Sequence, residues 1–317
     1  MARVLVTGGS GLVGQGIQYH VNNKTDITEG VEFIFLSSKE ADLRNLEQTR
    51  AVFQKHKPTH VIHLAAKVGG LFKNMREKVE MMTENIAINH NVLQCAHEAE
   101  VDRCVSMTST CVFPDKVEYP ITEDMIHLGP PHPSNEGYSY AKRMAEVLSR
   151  MYNEEYGRHY LTVIPTNVFG PYDNYSIEDG HVAPGLMHKC YLAKQKGEDL
   201  TVWGTGKPLR QFIFSRDLAH LVMWSCLKYQ GSESLMLAPD EGAEISIAEL
   251  ANTVASCMDF PKEKLVFDTS KADGQYKKTV SNKRLRGHLP DFKFTPFPEA
   301  MKISIDWFVQ NYETCRK

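Results

Sequence analysis

A short apolar segment followed by a glycine-rich turn opens the chain. Residues 3–7 read RVLVT, an apolar and β-branched run that predicts a buried parallel strand, and residues 11–20 are predicted as the next helix. Between them, residues 7–14 read TGGSGLVG. Such glycines allow a tight turn, close approach to a pyrophosphate and contact of helix with strand, and they leave the phosphates at the helix N-terminus. The candidate cofactor-binding residues of this turn are Gly8, Gly9, Ser10, Gly11, Leu12, Val13 and Gly14.

Strands and helices alternate through the first half of the chain. Apolar runs at 33–36, 61–66 and 104–108 predict strands, and the segments 46–57 and 84–98 predict helices between them. This alternation indicates an α/β fold, a Rossmann-type doubly wound parallel sheet with right-handed crossovers. Ligands of such sheets bind at the carboxyl ends of the strands.

Composition narrows the class of partner. The chain has 317 residues, 42% of them hydrophobic and 24% charged, with a net charge of -3. These values are ordinary for a globular protein and give no field for nucleic acid or an anionic membrane, so we expect a small-molecule substrate. The seven cysteines lack zinc-ligand spacing, which argues against a metal site and for reduced thiols; with no apolar run long enough to span a bilayer, a cytosolic protein is expected.

Tyr138 and Lys142 are four residues apart, which is about one helical turn. On one face of a helix, the cation is expected to lower the pKa of the phenol and make it a proton donor or acceptor for a carbonyl. Ser109 and Cys111 follow the predicted strand 104–108 and add a hydroxyl and a thiol at the same sheet edge. The pattern predicts a redox enzyme acting on a carbonyl compound.

The end of the second strand predicts which nicotinamide cofactor binds. An Asp or Glu there would bind the ribose hydroxyl of NAD, whereas this strand is followed by Ser38 and Lys39, which favour the ribose phosphate of NADP. Two alternatives stay open: Lys39 is only a solvated loop charge, or Asp42 contacts the adenine instead.

Taken together, these motifs resemble the extended short-chain dehydrogenase/reductase family across nearly the whole chain. The motifs are the glycine turn, residues 63–66 (HLAA), the Ser109 loop and the Tyr138/Lys142 pair. Further stretches resemble the bifunctional nucleotide-sugar epimerase-reductases of that family, namely residues 66–70 (AKVGG), 109–114 (STCVFP), 165–174 (PTNVFGPYDN), 180–184 (GHVAP) and 202–206 (VWGTG). The resemblance implies epimerisation of GDP-4-keto-6-deoxy-D-mannose at carbons 3 and 5 and NADPH-dependent reduction of its 4-keto group to give GDP-L-fucose.

That resemblance also implies roles for individual residues. Cys111 is expected to act as base and His181 as acid in epimerisation, while Tyr138 protonates the ketone oxygen, Ser109 steadies it, and Lys142 holds the nicotinamide ribose. Further cofactor contacts are expected at Ala65, Pro165, Thr166, Asn167, Val168 and His181. Substrate contacts are expected at Lys189, Trp203, Arg210 and Asp273. Bacterial relatives tend to carry an arginine in the glycine turn where this chain has Ser10, which weakens the preference for NADP over NAD.

Domain organisation and assembly are expected by the same resemblance. An NADP-binding Rossmann domain would comprise residues 1–170 and 208–238, and a smaller α/β substrate-binding domain residues 171–207 and 239–317. A homodimer is expected through the helices that start near Thr83 and Tyr138.

Other interpretations of these residues remain open. Ser109 often caps its own turn in such a position, Asp273 precedes a glycine as turn residues do, Trp203 is compatible with core packing, and Arg210 with a solvated loop. At the level of function, a 4-epimerase that retains its cofactor is one alternative, although simple 4-epimerisation needs no Cys111/His181 pair. A non-catalytic NADP-binding scaffold is the second alternative, and the intact Ser109, Tyr138 and Lys142 set argues against it.

Overall fold

The structure is a computed structural model that describes residues 1–271, 273 and 275–317. In chain order the strands are β1 (Ala2–Thr7), β2 (Val31–Leu36), β3 (His60–His63), β4 (Arg103–Met107), β5 (His159–Pro165), β6 (Asn167–Phe169), β7 (Leu200–Trp203), β8 (Leu209–Arg210), β9 (Phe212–Phe214), β10 (Leu235–Leu237), β11 (Ile245–Ser246) and β12 (Leu265–Asp268). The α-helices are α1 (Leu12–Asn22), α2 (Leu46–His56), α3 (Leu71–Arg76), α4 (Lys78–Glu98), α5 (Glu136–Tyr156), α6 (Val182–Lys196), α7 (Ser215–Leu227), α8 (Ile247–Cys257), α9 (Lys283–His288) and α10 (Phe297–Gln310).

A six-stranded sheet of order β10-β5-β4-β3-β1-β2 forms the centre of the first half, and every pairing in it is parallel. Apart from the partly exposed edge strand β2, its strands are largely apolar and buried because helices cover both sides, as parallel sheets require. The strand order reverses at β1, which places a ligand crevice at the carboxyl ends of β1 and its neighbours. The predicted Rossmann-type α/β fold is confirmed.

Two predicted elements differ from the structure by three residues or more at one end, and the others by one or two residues. The third strand ends at His63 rather than at residue 66. The reason is that β1 ends at Thr7: the Leu64 N–H still reaches the Thr7 carbonyl (3.2 Å), but the Ala65 N–H bonds the Thr7 hydroxyl (3.2 Å), so the backbone ladder stops. Helix α4 begins at Lys78, six residues before the predicted start at Glu84.

A second hydrophobic cluster lies outside the large sheet. It joins buried side chains of α6, α8 and α10 to strand β7, which pairs in parallel with β12, and strands β8 and β11 form a separate antiparallel pair. Strand β9 serves both clusters because its side chains alternate: Phe212 and Phe214 pack in the second cluster, and Ile213 packs in the first. The domain boundaries expected at residues 170, 208 and 238 remain predictions.

Helices α4 and α5 are the longest, with 21 residues each. They lie side by side, and Asn89 on α4 donates a 3.3 Å hydrogen bond to the Ala141 carbonyl on α5. Within the described residues, no helix combines the length and apolar character needed to cross a membrane.

Candidate active site

The glycine turn connects β1 to α1 and is closely packed. A Cβ on Gly8, where φ is +69°, would lie 2.8 Å from the Ala65 nitrogen, and one on Gly14 would lie 2.5 Å from the Gly9 carbonyl oxygen. Gly11 is the N-cap of α1 and supplies no side-chain cap, which leaves the first turn of that helix able to bind an anion. The turn therefore fits a dinucleotide pyrophosphate. Its predicted contacts Ser10, Gly11 and Leu12 are accessible, and Val13 is buried.

The end of β2 presents an exposed cation. Ser38 and Lys39 are both exposed there. A carboxylate that sequence reasoning overlooked, Glu40, closes this turn by accepting hydrogen bonds from the Ser37 N–H (2.8 Å) and hydroxyl (3.0 Å). Asp42 is bound to the Arg44 guanidinium at 2.8 Å, so its carboxylate has a partner of its own. This edge fits a ribose phosphate through Lys39.

Tyr138 and Lys142 share one face of α5, with the Lys142 Nζ 5.8 Å from the centre of the phenol ring. Lys142 is buried, donates a 2.8 Å hydrogen bond to the Met107 carbonyl, and has its pKa lowered to about 8 by desolvation. Burial, and secondarily the nearby Cys111, raise the pKa of Tyr138. The expectation of a lowered pKa at Tyr138 is therefore wrong for this structure, because burial raises it. The phenol is held in its protonated, donating form.

Ser109 and Cys111 follow β4, whose last residue is Met107. The Ser109 hydroxyl accepts a 3.3 Å hydrogen bond from the Cys111 N–H, which is the turn-capping alternative; its own proton stays available for a ligand. Cys111 is half-buried and close enough to Tyr138 to influence its pKa. Hydroxyl, thiol and phenol are thus gathered at one edge of the sheet.

His181 is the N-cap residue of α6. The residue is exposed, but the protein atoms around its ring still displace water from it, and this desolvation lowers the pKa of the imidazole. Arg316 has a smaller effect in the same direction. Within the described residues its side chain makes no hydrogen bond, either to Cys111 and Tyr138 or to any other group. The loop before it is fixed: the Gly70 N–H donates to the Asp179 carbonyl (2.8 Å). Its role as acid remains a proposal.

Lys189 and Trp203 are in direct contact, with the Lys189 Nζ 3.4 Å from the centre of the indole ring. Burial lowers the pKa of Lys189 to about 8. The Phe72 ring meets Trp203 edge-on at 5.8 Å, a contact that the sequence did not suggest. Trp203 is half-buried and belongs to no buried core cluster, so it is available to a ligand.

Arg210 and Asp273 both organise loops. The Arg210 guanidinium donates to the carbonyls of Leu209 (2.7 Å) and Gln275 (2.6 Å), so it is not a solvated loop residue. Asp273 accepts from the Thr205 N–H (2.6 Å) and hydroxyl (2.7 Å). The Arg210 guanidinium also lies close enough to Cys111 for the thiol to influence its pKa.

The remaining predicted cofactor contacts lie at the ends of β3 and β5. Ala65 packs against the Gly8 turn, and Pro165 closes β5 beside the buried Thr166, whose hydroxyl has no partner in the described residues. Asn167 donates to the Gln211 carbonyl (2.9 Å), and Val168 is half-buried in the following strand. An unpaired buried hydroxyl at a strand end is a candidate ligand contact.

Two further residues near the site were not assigned a role by sequence reasoning. His63 accepts from the Thr7 hydroxyl (2.8 Å) and bonds Asn89 (3.1 Å), and burial lowers its pKa to about 3, which keeps it neutral. Lys278 donates to the Cys111 sulfur at 3.7 Å. His63 ends a predicted strand, which is a usable signal, whereas Lys278 is 167 residues from Cys111 and carries no local pattern.

These features define a nicotinamide-dependent enzyme of the short-chain reductase class: the order of the strands, the glycine turn, and the set of Ser109, Tyr138 and Lys142. A model of the NAD dependent epimerase/dehydratase family matches residues 4–236. GDP-L-fucose synthase of Dictyostelium discoideum is 59% identical, covering 99% of this chain and 97% of that protein, and probable GDP-L-fucose synthase of Drosophila melanogaster is 49% identical over the full length of both. A crystal structure of a GDP-L-fucose synthetase from Naegleria fowleri bound to NADP superposes with a TM-score of 0.94 at 49% identity, covering 100% of this chain and 95% of that one. The chain therefore belongs to the NAD dependent epimerase/dehydratase family and, within it, to the GDP-L-fucose synthases.

Proposed function

We propose that this protein uses NADP(H) to convert GDP-4-keto-6-deoxy-D-mannose to GDP-L-fucose, by epimerisation at carbons 3 and 5 followed by reduction of the 4-keto group. The observation that carries the proposal is the thiol of Cys111 beside the Ser109 and Tyr138 hydroxyls at the end of β4. Reduction alone needs the hydroxyls and Lys142, whereas inversion of a carbon next to a ketone needs a base as well. The relatives named above support the same substrate.

Epimerisation begins with proton removal. The 4-ketone acidifies the hydrogens on carbons 3 and 5, the Cys111 thiolate takes one of them, and the electron pair moves onto the ketone oxygen as an enolate. The Ser109 and Tyr138 hydroxyls donate to that oxygen, where the negative charge develops. His181 then returns a proton to the opposite face of the same carbon.

Reduction uses the same oxygen site. NADPH supplies the hydride that reaches carbon 4. Tyr138 gives its proton to the oxygen, and because burial raises the pKa of the phenol, the group arrives protonated. Lys142, fixed to the Met107 carbonyl at the end of β4, holds the nicotinamide ribose.

The diphosphate and base of the substrate would bind in the second half of the chain. Lys189, whose ammonium lies 3.4 Å from the centre of the Trp203 ring, and Arg210 would provide two cations. A guanidinium matches phosphate oxygens bidentately. Diphosphate binding would also offset the desolvation that lowers the pKa of Lys189 to about 8. Asp273 supports this region through Thr205.

The test follows two signals on GDP-4-keto-6-deoxy-D-mannose: loss of NADPH absorbance and uptake of solvent deuterium at carbons 3 and 5. Cys111→Ser should abolish deuterium uptake while part of the hydride transfer survives, and Cys257→Ser, on a half-buried thiol of α8, should behave as wild type. Absence of both signals in the wild-type protein would overturn the proposal. Turnover without net NADPH loss would favour a cofactor-retaining 4-epimerase, and NADPH binding without turnover a scaffold.

We also propose a homodimer and a cytoplasmic location. Exposed apolar side chains recur along one side of α4 at Val79, Met82 and Ile86, and along α5 at Met144 and Met151. Contiguous apolar surface of this kind marks a protein contact. All seven cysteines are free, as expected in a reducing compartment.

A further inference from the structure

Lys278 approaches the thiol that the proposed mechanism uses as its base. Its Nζ donates to the Cys111 sulfur across 3.7 Å, and both side chains are half-buried. A cation at this distance favours the thiolate over the thiol, because the charged form gains a partner that the neutral form lacks.

Backbone hydrogen bonds hold the segment that directly follows Lys278. Thr279 accepts a hydrogen bond from the Ile121 N–H (2.9 Å), and the Ser281 N–H returns one to Ile121 (2.8 Å). The Val280 N–H donates to the Gln211 side chain (2.8 Å). This segment is therefore tied to the loop that follows Cys111, which fixes the backbone next to Lys278.

Among the residues that the structure describes, the titratable or charged groups near Cys111 are Lys278, Arg210 and Tyr138. Tyr138 is neutral and bears no charge that would help a thiolate. Arg210 also carries a positive charge near the thiol, and its guanidinium donates hydrogen bonds to the carbonyls of Leu209 and Gln275. Lys278 has no carboxylate within 4.0 Å in the described part of the chain, so its charge is directed mainly at the sulfur.

We propose that Lys278 is a positioning residue that stabilises the Cys111 thiolate and so sets the fraction of enzyme competent for epimerisation. The S–H proton leaves to solvent, Lys278 stays an ammonium throughout, and the thiolate then accepts the carbon-bound proton of the sugar. The inference rests on the proposed function, because it assigns Lys278 to the epimerisation half of that reaction and not to hydride transfer.

The first experiment needs no sugar. The rate of Cys111 alkylation by iodoacetamide, read by mass spectrometry of its peptide, is measured against pH in the wild type and in Lys278→Met. Loss of the ammonium should slow alkylation at pH 7 about tenfold, equivalent to one pH unit, while the plateau rate at high pH is kept. Lys278→Arg should stay close to wild type because the charge remains.

Lys277→Met is the matched control. The adjacent lysine has the same charge, but its ammonium lies 3.8 Å from Glu244 and close to the Tyr119 ring instead of the thiol. Its alkylation profile should match the wild type. Equal slowing in Lys277→Met and Lys278→Met, or in Lys278→Arg and Lys278→Met, would overturn the assignment by showing a general loss of structure or charge.

The second experiment separates this inference from the proposed function. In Lys278→Met, deuterium exchange at carbons 3 and 5 should fall about tenfold at pH 7 and recover at higher pH, whereas the binding constant for NADPH should not change. A wild-type protein without exchange would refute the proposed function. If the wild-type protein shows exchange and Lys278→Met leaves its pH profile unchanged, only the role of Lys278 is refuted. If Lys278→Met fails to fold, Lys278→Gln is compared with Lys278→Arg in the same way.

Discussion

Lys142 donates a 2.8 Å hydrogen bond from its ammonium to the backbone carbonyl of Met107, the last residue of β4. This contact ties the helix that carries Tyr138 to the strand end from which Ser109 and Cys111 emerge. The lysine is 2% exposed, and its desolvation lowers the pKa to about 8. This hydrogen bond thus joins α5 to the end of β4, and it requires that the charged ammonium be buried.

Lys142→Met should stabilise the free protein and abolish its turnover. The folded-state pKa lies below the ordinary value of Lys, so the penalty is complete below pH 8 and disappears as pH rises toward 10.5. The substitution removes this desolvation penalty but also removes the hydrogen bond to Met107. The net effect should be a rise of about 2 kcal/mol in the free energy of unfolding at pH 7. Urea unfolding at pH 7 without cofactor, compared with NADPH oxidation by the same variant, checks both statements; a variant less stable than wild type would contradict the first.

His63 should make the protein sensitive to mild acid. Its folded-state pKa of about 3 lies below the unfolded value of 6.5, so the folded state binds fewer protons between those values and stability falls as pH falls. The expected loss from this residue between pH 7 and 5 is about 2 kcal/mol. Other buried histidines contribute a loss common to all variants.

The measurement is the difference in unfolding free energy between pH 7 and pH 5 for wild type, His63→Gln and His159→Gln. His63→Gln should lose about 2 kcal/mol less than wild type over this interval. His159 is exposed, so its replacement should leave the interval unchanged. Identical losses in His63→Gln and wild type would show that His63 is protonated in the folded protein.

Local sequence patterns predicted the sheet, the glycine turn and the Tyr138/Lys142 face, because each depends on residues close in the chain. The lowered phenol pKa was wrong because burial is a property of the whole fold, not of a four-residue spacing. Contacts such as Lys278 with Cys111 and Phe72 with Trp203 join segments 167 and 131 residues apart and leave no periodic trace. The Ser109 hydroxyl is a third case, because one side chain can both cap its own turn and donate its proton to a ligand.

Lys39→Met should weaken NADPH binding selectively. Lys39 is exposed at the end of β2, where the ribose phosphate of NADP is expected, and loss of one cation near a phosphate should raise KM for NADPH about tenfold. KM for NADH, which lacks that phosphate, should stay within about twofold. Lys24→Met, at an exposed lysine remote from the strand end, serves as control. An equal rise for both cofactors would show that Lys39 does not read the phosphate.

Gly70→Ala should impair epimerisation by displacing the loop that leads to His181. A Cβ at Gly70 would lie 2.3 Å from the Gly180 carbonyl oxygen, and since φ is -67° the effect would come from this contact and not from backbone strain. We expect exchange at carbons 3 and 5 to fall by about tenfold or more, since small displacements of an acid or base are costly. Gly242→Ala, where the added methyl meets nothing within 4 Å, should leave exchange unchanged. Normal exchange in Gly70→Ala would separate this loop from the proposed acid.

Ile86→Glu should convert a dimer to a monomer. Ile86 lies on the exposed apolar side of α4 with Val79 and Met82, and a carboxylate buried in an apolar contact there would lose its hydration without gaining a counter-charge. Sedimentation equilibrium should give twice the 35.9 kDa chain mass for the wild type and the single mass for the variant. Val309→Glu, on an exposed site of α10, should remain dimeric. A wild-type protein of single mass would refute the dimer, and a dimeric Ile86→Glu would place the contact on another face.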